Sequence, residues 1–266
     1  MTTATTSSRR GPLLTVVALA VVIAGAAGAW YLFLRPAGPP PVSLATLPPA
    51  SATASAEPGD ATGAPSASAE SGTTPSAAPA ADGIAGTWAV DRSVGSFEDF
   101  SSTFAGYRVR EELASIGAAE AVGRTPDVTG SLTIEGTTIA AAELSVDLTT
   151  LVSDEDNRDR QLQRQALETS QFPTATFTLT QAVDLGAVPA EGATVDVTLA
   201  GDLTLHGVTN AVEVPMQARL QGGVITVVGS LPIVFADYGI AQPRSMIVLS
   251  VEDHGTMEFQ VHFSRA

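Results

Sequence analysis

The chain contains no cysteine and no lysine. Without cysteine there can be no disulfide staple, thiol nucleophile, zinc knuckle or lipid-modified cysteine anchor. Without lysine there can be no Schiff base, P-loop lysine or Ser-x-x-Lys nucleophile. All 13 basic residues are arginine, set against 28 Asp and Glu, for a net charge of −15. Residues 84–266 carry 10 of those arginines and 24 of the acids, or −14. A surface of that sign repels phosphate backbones, so nucleic acid is not an expected partner, and it suits solubility. Gly-x-Ser-x-Gly and Gly-x-Gly-x-x-Gly are absent. The three histidines, His206, His254 and His262, form no i,i+4 pair and read as surface residues. No catalytic residue, metal ligand or cofactor site is expected.

What is present falls into four parts. Residues 1–12 form a short polar head with Arg9 and Arg10. Residues 13–34 are 22 uncharged, mostly apolar residues, long enough as a helix to span a bilayer core of roughly 30 Å. A cleaved signal peptide would use the small residues at 27–29. An uncleaved anchor would place Trp30 and Tyr31 at the interface, and the apolar run continues through Leu34, which favours the anchor. The two arginines of the head direct the N-terminus to the cytoplasm, making a single-pass cell-membrane protein with its C-terminal part extracytoplasmic. Residues 35–83 are a Pro/Ala/Ser/Thr linker expected to be disordered, because they have too little apolar surface to offset ordering entropy. A functional tether and a passive linker are both open readings. Residues 84–266 have the length of one domain with a core of its own.

Within that domain the dominant signal has period two. Residues 194–220 make two alternating runs joined by a short turn. Val195, Val197, Leu199, Leu203 and Leu205 share one face of the first run; Val212, Val214, Met216, Ala218 and Leu220 share one face of the second. Further strands are expected over 87–90, 104–113, 128–135, 139–148, 172–180, 224–235, 246–252 and 257–263. About eight alternating strands with Gly-rich turns suggest an all-β antiparallel sandwich or barrel. The exception is 157–168, a predicted helix. Ser153 and Asp156 make a capping-box-like start, acids precede Arg158, Arg160 and Arg164, and Pro173 follows. It is expected to lie across one opening.

The dry parity, including Phe177, Leu203, Leu205, Val214, Met216 and Phe259, encloses either a packed core or a space for one small ligand. Gly201 interrupts that parity, as a glycine does at a bend or a close approach by a ligand or backbone. Pro215, on the opposite parity, marks a bulge or an edge. Arg108, Arg110 and Arg124 pair locally with acids or meet an anionic head group at the barrel mouth.

GDLTLHGVTNAVEVPMQARLQGG from Gly201 resembles the hairpin of the YceI-like family. VDLTTLVSDEDNRDRQLQ followed by FPTATF, then FADYGI, resembles that family's Arg-Asp helix, its Phe-Pro strand start and its Asp-aromatic-Gly segment. GTWAVDRSVGSF and GYRVREEL resemble the membrane-anchored actinobacterial version. The resemblance spans 83–266. It implies an eight-stranded lipocalin-like barrel that binds a polyisoprenoid or other long-chain lipid, in an exported protein with no established enzymatic role. The anchor and long linker depart from relatives with a cleavable signal. On this reading Phe172, Phe177, Leu199, Gly201, Leu203, Leu205, Val214, Met216, Phe235 and Phe259 line the lipid site, and Arg108, Arg110 and Arg124 are the head-group candidates. The alternative is a packed barrel acting as an envelope interaction module without a ligand.

Overall fold

Alternation along the chain becomes thirteen strands among the described residues: β1 (Gly86–Val90), β2 (Phe104–Leu113), β3 (Gly117–Thr125), β4 (Val128–Glu135), β5 (Thr138–Asp147), β6 (Val152–Ser153), β7 (Thr174–Leu179), β8 (Val183–Asp184), β9 (Thr194–Leu205), β10 (Val208–Gln221), β11 (Val224–Val234), β12 (Val248–Val251) and β13 (His254–Arg265). The computed structural model describes residues 39–44, 83–114, 117–243 and 248–266. The chain divides into two units, Met1–Gly38 and Pro39–Ala266. The first unit lies outside the described residues, and with it the head at 1–12 and the apolar run at 13–34. Among the described residues no helix is long and apolar enough to cross a membrane.

Eight strands form a closed antiparallel ring in the order β1-β4-β5-β7-β9-β10-β11-β13, with β13 returning to β1. Closure uses only the C-terminal part of β13, from Val90↔Phe263 to Trp88↔Arg265. Its earlier part pairs with β2 from Thr256↔Arg108 to Gln260↔Phe104. From β2 hang β3 and β12, with β6 beyond β3. The longest hairpin joins β9 to β10 across His206 and Gly207, whose φ values of 52° and 74° are those a tight two-residue turn demands. Pro215 ends the pairing of β10 with β11, which runs only from Gln221↔Val224 to Met216↔Gly229. A residue without an N–H suits that edge. A 3-10 turn at Phe235–Tyr238 follows β11, and Asn210 Nδ2 donates to its Asp237 carbonyl at 2.9 Å.

Inward residues form the main core, with Trp88, Leu203 and Val261 no more than 2 % exposed. A second cluster of Leu148, Leu151, Leu167 and Ala175, joined by Tyr107, Leu162 and Leu205, closes one end of the ring. The closing element is α1 (Asp156–Gln161), continued by a π-turn at Leu162–Ala166. The expected helix at 157–168 is therefore present but differently built. Its cap is Glu155, which accepts from the Asn157 amide. Ser153 instead binds Asp159, through its amide at 3.0 Å and its hydroxyl at 2.6 Å. The Leu167 amide donates to Leu162 O across five residues, and Glu168 at φ 45° ends the turn.

Two expectations about the outside are corrected. Glu258, Gln260 and His262 occupy the outward parity of β13, yet they are 1 %, 4 % and 3 % exposed. Residues 91–103 cover part of this face. Gln260 Nε2 donates to Ser102 O at 2.9 Å, and His262 Nε2 donates to Ser101 O at 2.8 Å. His262 is thus buried rather than a surface residue, and the turn residue His206 has only 10 % of its side chain exposed. The linker expected to be disordered over 35–83 includes residues 39–44, which lie on the outer wall and bury Leu44 to 2 % exposure. Residues 45–82 lie outside the described residues.

Candidate functional site

Inside the ring is a cavity of about 140 Å³. A single water needs only ~10–15 Å³ on that measure, so the interior is not a filled core. Its wall draws on seven of the eight ring strands: Val128, Leu132 and Ile134 from β4, Ile139, Ala142 and Leu144 from β5, Phe177 from β7, Val197, Leu199 and Leu203 from β9, Val214, Met216 and Ala218 from β10, Ile225 and Val227 from β11, and Met257, Phe259, Val261 and Phe263 from β13. Among the described residues, the only polar ones that border it are Thr176 and Arg219, both on the outward parity of their strands. Because Leu205 at the end of β9 packs into the cluster beneath α1, Thr194 at its start lies at the opposite end of the ring. Near that end Leu185, Pro189 and Ala193, from the segment between β8 and β9, border the cavity, with Arg219 at the rim.

The space survives because inward aromatic rings lie against the wall. A Cβ on Gly201 would sit 2.4 Å from the Phe177 ring of the neighbouring strand. The same relation holds between Gly229 and Phe259, at 2.5 Å, and, away from the cavity on β2 and β3, between Gly123 and Tyr107, at 2.4 Å. Each glycine is a notch that lets a ring fold flat, an aromatic covering of strand glycines that also pins register. Ala105, Ala142, Ala175 and Ala218 keep other parts of the lining shallow.

Six of the ten expected wall residues line the cavity: Phe177, Leu199, Leu203, Val214, Met216 and Phe259. The other four are placed elsewhere. Gly201 is covered by the Phe177 ring, so the close approach comes from a neighbouring side chain. Leu205 packs into the closed end. Phe172 stacks edge-on against His206 with centroids 4.6 Å apart. Phe235 packs beside Gly255 from the 3-10 turn after β11. Sequence reasoning missed the contributions of β4, β5 and β11, although Leu132 and Ile134, or Ile225 and Val227, carry the same alternation.

The three arginines stand on the outward parity. Arg110 is exposed. Arg124, 3 % exposed, holds Glu258 Oε1 through Nε at 2.9 Å and Nη2 at 2.6 Å. Its guanidinium lies 4.6 Å and 4.3 Å from the Phe100 and Phe104 centroids. Burial lowers its pKa, and the bond to Glu258 opposes that. Arg108 joins Glu120 at 2.5 Å and approaches Glu258 at 3.5 Å. A head group inside the cavity would not meet these side chains.

Polar groups on the inward side gather at the closed end instead. Glu111 pairs with Arg158 of α1 at 2.7 Å. Nearby, burial pushes the Tyr107 phenol well above its ordinary range. At the β9–β10 turn His206 Nε2 faces the Glu168 carboxylate oxygen Oε2 at 3.0 Å, while its Nδ1 lies 3.1 Å from Tyr238 O. A carbonyl can only accept, so Nδ1 carries the proton. Among the described residues no group of three His, Asp or Glu side chains could hold a metal ion.

The model of the YceI-like domain family matches residues 88–263. Among solved structures, a polyisoprenoid binding domain from Saccharophagus degradans, implicated in plant cell wall breakdown, superposes with a TM-score of 0.52 at 21 % identity, covering 67 % of this chain and 98 % of that one. Burkholderia cenocepacia BcnA gives 0.46 at 18 % identity, covering 59 % and 95 %. A Campylobacter jejuni YCEI protein gives 0.42 at 18 % identity, covering 53 % and 82 %. The first of these shares the barrel fold. No curated protein sequence matches the chain.

Proposed function

The chain belongs to the YceI-like domain family, and from that premise we propose that its barrel binds a polyisoprenoid or similar amphipathic lipid, with the apolar chain inside the ring. The observation that carries this reading is the cavity of about 140 Å³ with an almost wholly apolar wall. A packed barrel serving only as an interaction module would leave no such space. Sequestration supplies the driving force, since each buried CH₂-sized group contributes about 0.8 kcal/mol. The name of the Saccharophagus degradans domain, a polyisoprenoid binding domain, supports the ligand class. An almost wholly apolar lining suits holding a chain better than converting it, so the protein is read as a binder and not an enzyme.

The test is a fluorescence titration with NBD-labelled geranylgeraniol against the purified chain and an Ala218→Phe variant. Ala218 lines the cavity and is only partly buried, so a phenyl group there fills space without opening the core. Saturable binding by the parent and at least a tenfold loss in the variant are expected. Absence of saturation in the parent, with no lipid retained in native mass spectrometry, would sink the proposal. We also propose that the apolar run at 13–34 anchors the protein in the cell membrane with the barrel extracytoplasmic. Its test is retention of the full chain on membranes after alkaline washing.

A further inference from the structure

The outer wall carries a second site, distinct from the cavity. Residues 39–44, Pro-Pro-Pro-Val-Ser-Leu, cross it as a strap. Arg108 Nη2 on β2 donates to Pro39 O at 2.7 Å, and Arg124 Nη2 on β3 donates to Pro40 O at 2.9 Å. At the other end Arg219 Nη2 on β10 donates to Leu44 O at 3.4 Å, and Leu44 itself is 2 % exposed. Two of the three donors, Arg108 and Arg124, are also held by the barrel's own residues. Glu258, 1 % exposed, fixes Arg124 from below and approaches Arg108, while Phe100 and Phe104 stack on the Arg124 guanidinium.

The chemistry matches a proline-rich segment in particular. Proline has no N–H, and Pro39 and Pro40 each precede another proline, which keeps them extended. Such a segment offers carbonyls without internal partners, at little ordering cost. A wall presenting arginine donors beside aromatic rings, followed by a pocket for one aliphatic side chain, recognises it much as other proline-reading surfaces do. The fit is incomplete. Arg108 Nε and Arg219 Nε are buried without a hydrogen-bond partner among the described residues. Uncompensated donors under the two ends weaken the docked state relative to a fully matched one.

We propose that this groove is a reversible docking site for an extended proline-rich segment, occupied in cis by residues 39–44. Docking removes those residues from the free length of the linker at 35–83, and release restores them. The linker then has two lengths set by one equilibrium, where its composition alone suggested a uniform flexible chain.

The absence of native cysteine makes the test direct. In the full chain, the rate of maleimide labelling of Leu44→Cys is compared with that of Leu249→Cys, whose parent residue is 63 % exposed. Labelling at position 44 is expected to be at least tenfold slower. It should rise toward the control rate when a synthetic peptide of residues 37–46 is added in excess. Equal rates without peptide overturn the docking. Slow labelling that the peptide leaves unchanged overturns its reversibility. Hydroxyl-radical footprinting of the unsubstituted chain guards against an effect of the cysteine itself. There Leu44 should be oxidised far more slowly than Leu249, and equal oxidation overturns the site.

Discussion

Individual side chains in this barrel are decided by what covers them as much as by strand parity, and His262 shows the consequence. Its Nε2 must carry the proton it gives to Ser101 O, so Nδ1 accepts from Thr226 Oγ1 at 2.9 Å. The bond from Thr226 needs the neutral ring, whereas the bond to Ser101 O is open to either protonation state. Burial lowers its pKa below the ordinary value of 6.5, with the Ser101 carbonyl and Asp91 opposing. The unfolded chain therefore takes up the proton first as pH falls. The stabilisation is complete above about pH 6.5 and declines below it, by at most about 1.4 kcal/mol per pH unit for one proton. Asp91, held below its ordinary 3.8 by hydrogen bonds from Ser264 and Ser93, loses its contribution only in stronger acid. His254, raised by Asp253, acts in the opposite sense. Urea midpoints measured from pH 8 to pH 5 should fall below pH 6.5 in the parent chain. A His262→Gln variant should lack that decline, and an identical decline would assign it to another group.

Elements were legible where parity was strong and obscure where another element supplied the order. The β9–β10 hairpin was readable because its apolar residues alternate over two long runs, and the inward position of Gly201 was visible with it. What filled the notch was not, because that depends on β7 lying beside β9. Strand β3, GAAEAVGRT, escaped notice because Val122 and Thr125 are its only residues with strong strand preference. Nine registered pairs with β2 impose the extended form. The burial of Glu258 and His262 was equally hidden, since residues 91–103 and 39–44 cover them without any periodic pattern. The Gly201–Phe177 pairing makes a measurable claim about neighbouring strands. Gly201→Ala puts a methyl group against the ring and within 2.6 Å of Thr178 O. It should cost about 1–3 kcal/mol, and Phe177→Leu in the same chain should recover part of that. Denaturation midpoints of the two single variants and the double variant give the coupling. Strictly additive effects would mean that the ring is not what occupies the notch.

At the scale of the whole molecule, the ring hides its apolar wall and presents a domain of formal charge −14 over residues 84–266. Such a surface is repelled by anionic lipid head groups, and the repulsion weakens as salt rises. The barrel's net charge therefore works against holding it at an anionic membrane, although its proposed ligand is a lipid. The proposed anchor lies elsewhere in the chain. Residues 13–34 hold 22 consecutive uncharged residues, and their burial in hydrocarbon would be insensitive to salt. Deleting residues 1–35 should release the protein from isolated membranes at low and high ionic strength alike. The full chain should remain after both alkaline and high-salt washing. If the shortened chain also stays bound, the barrel has its own membrane contact and the attachment assigned to 13–34 is wrong. If the full chain is released by washing, that run does not anchor it, and a lipid would have to reach the cavity through water.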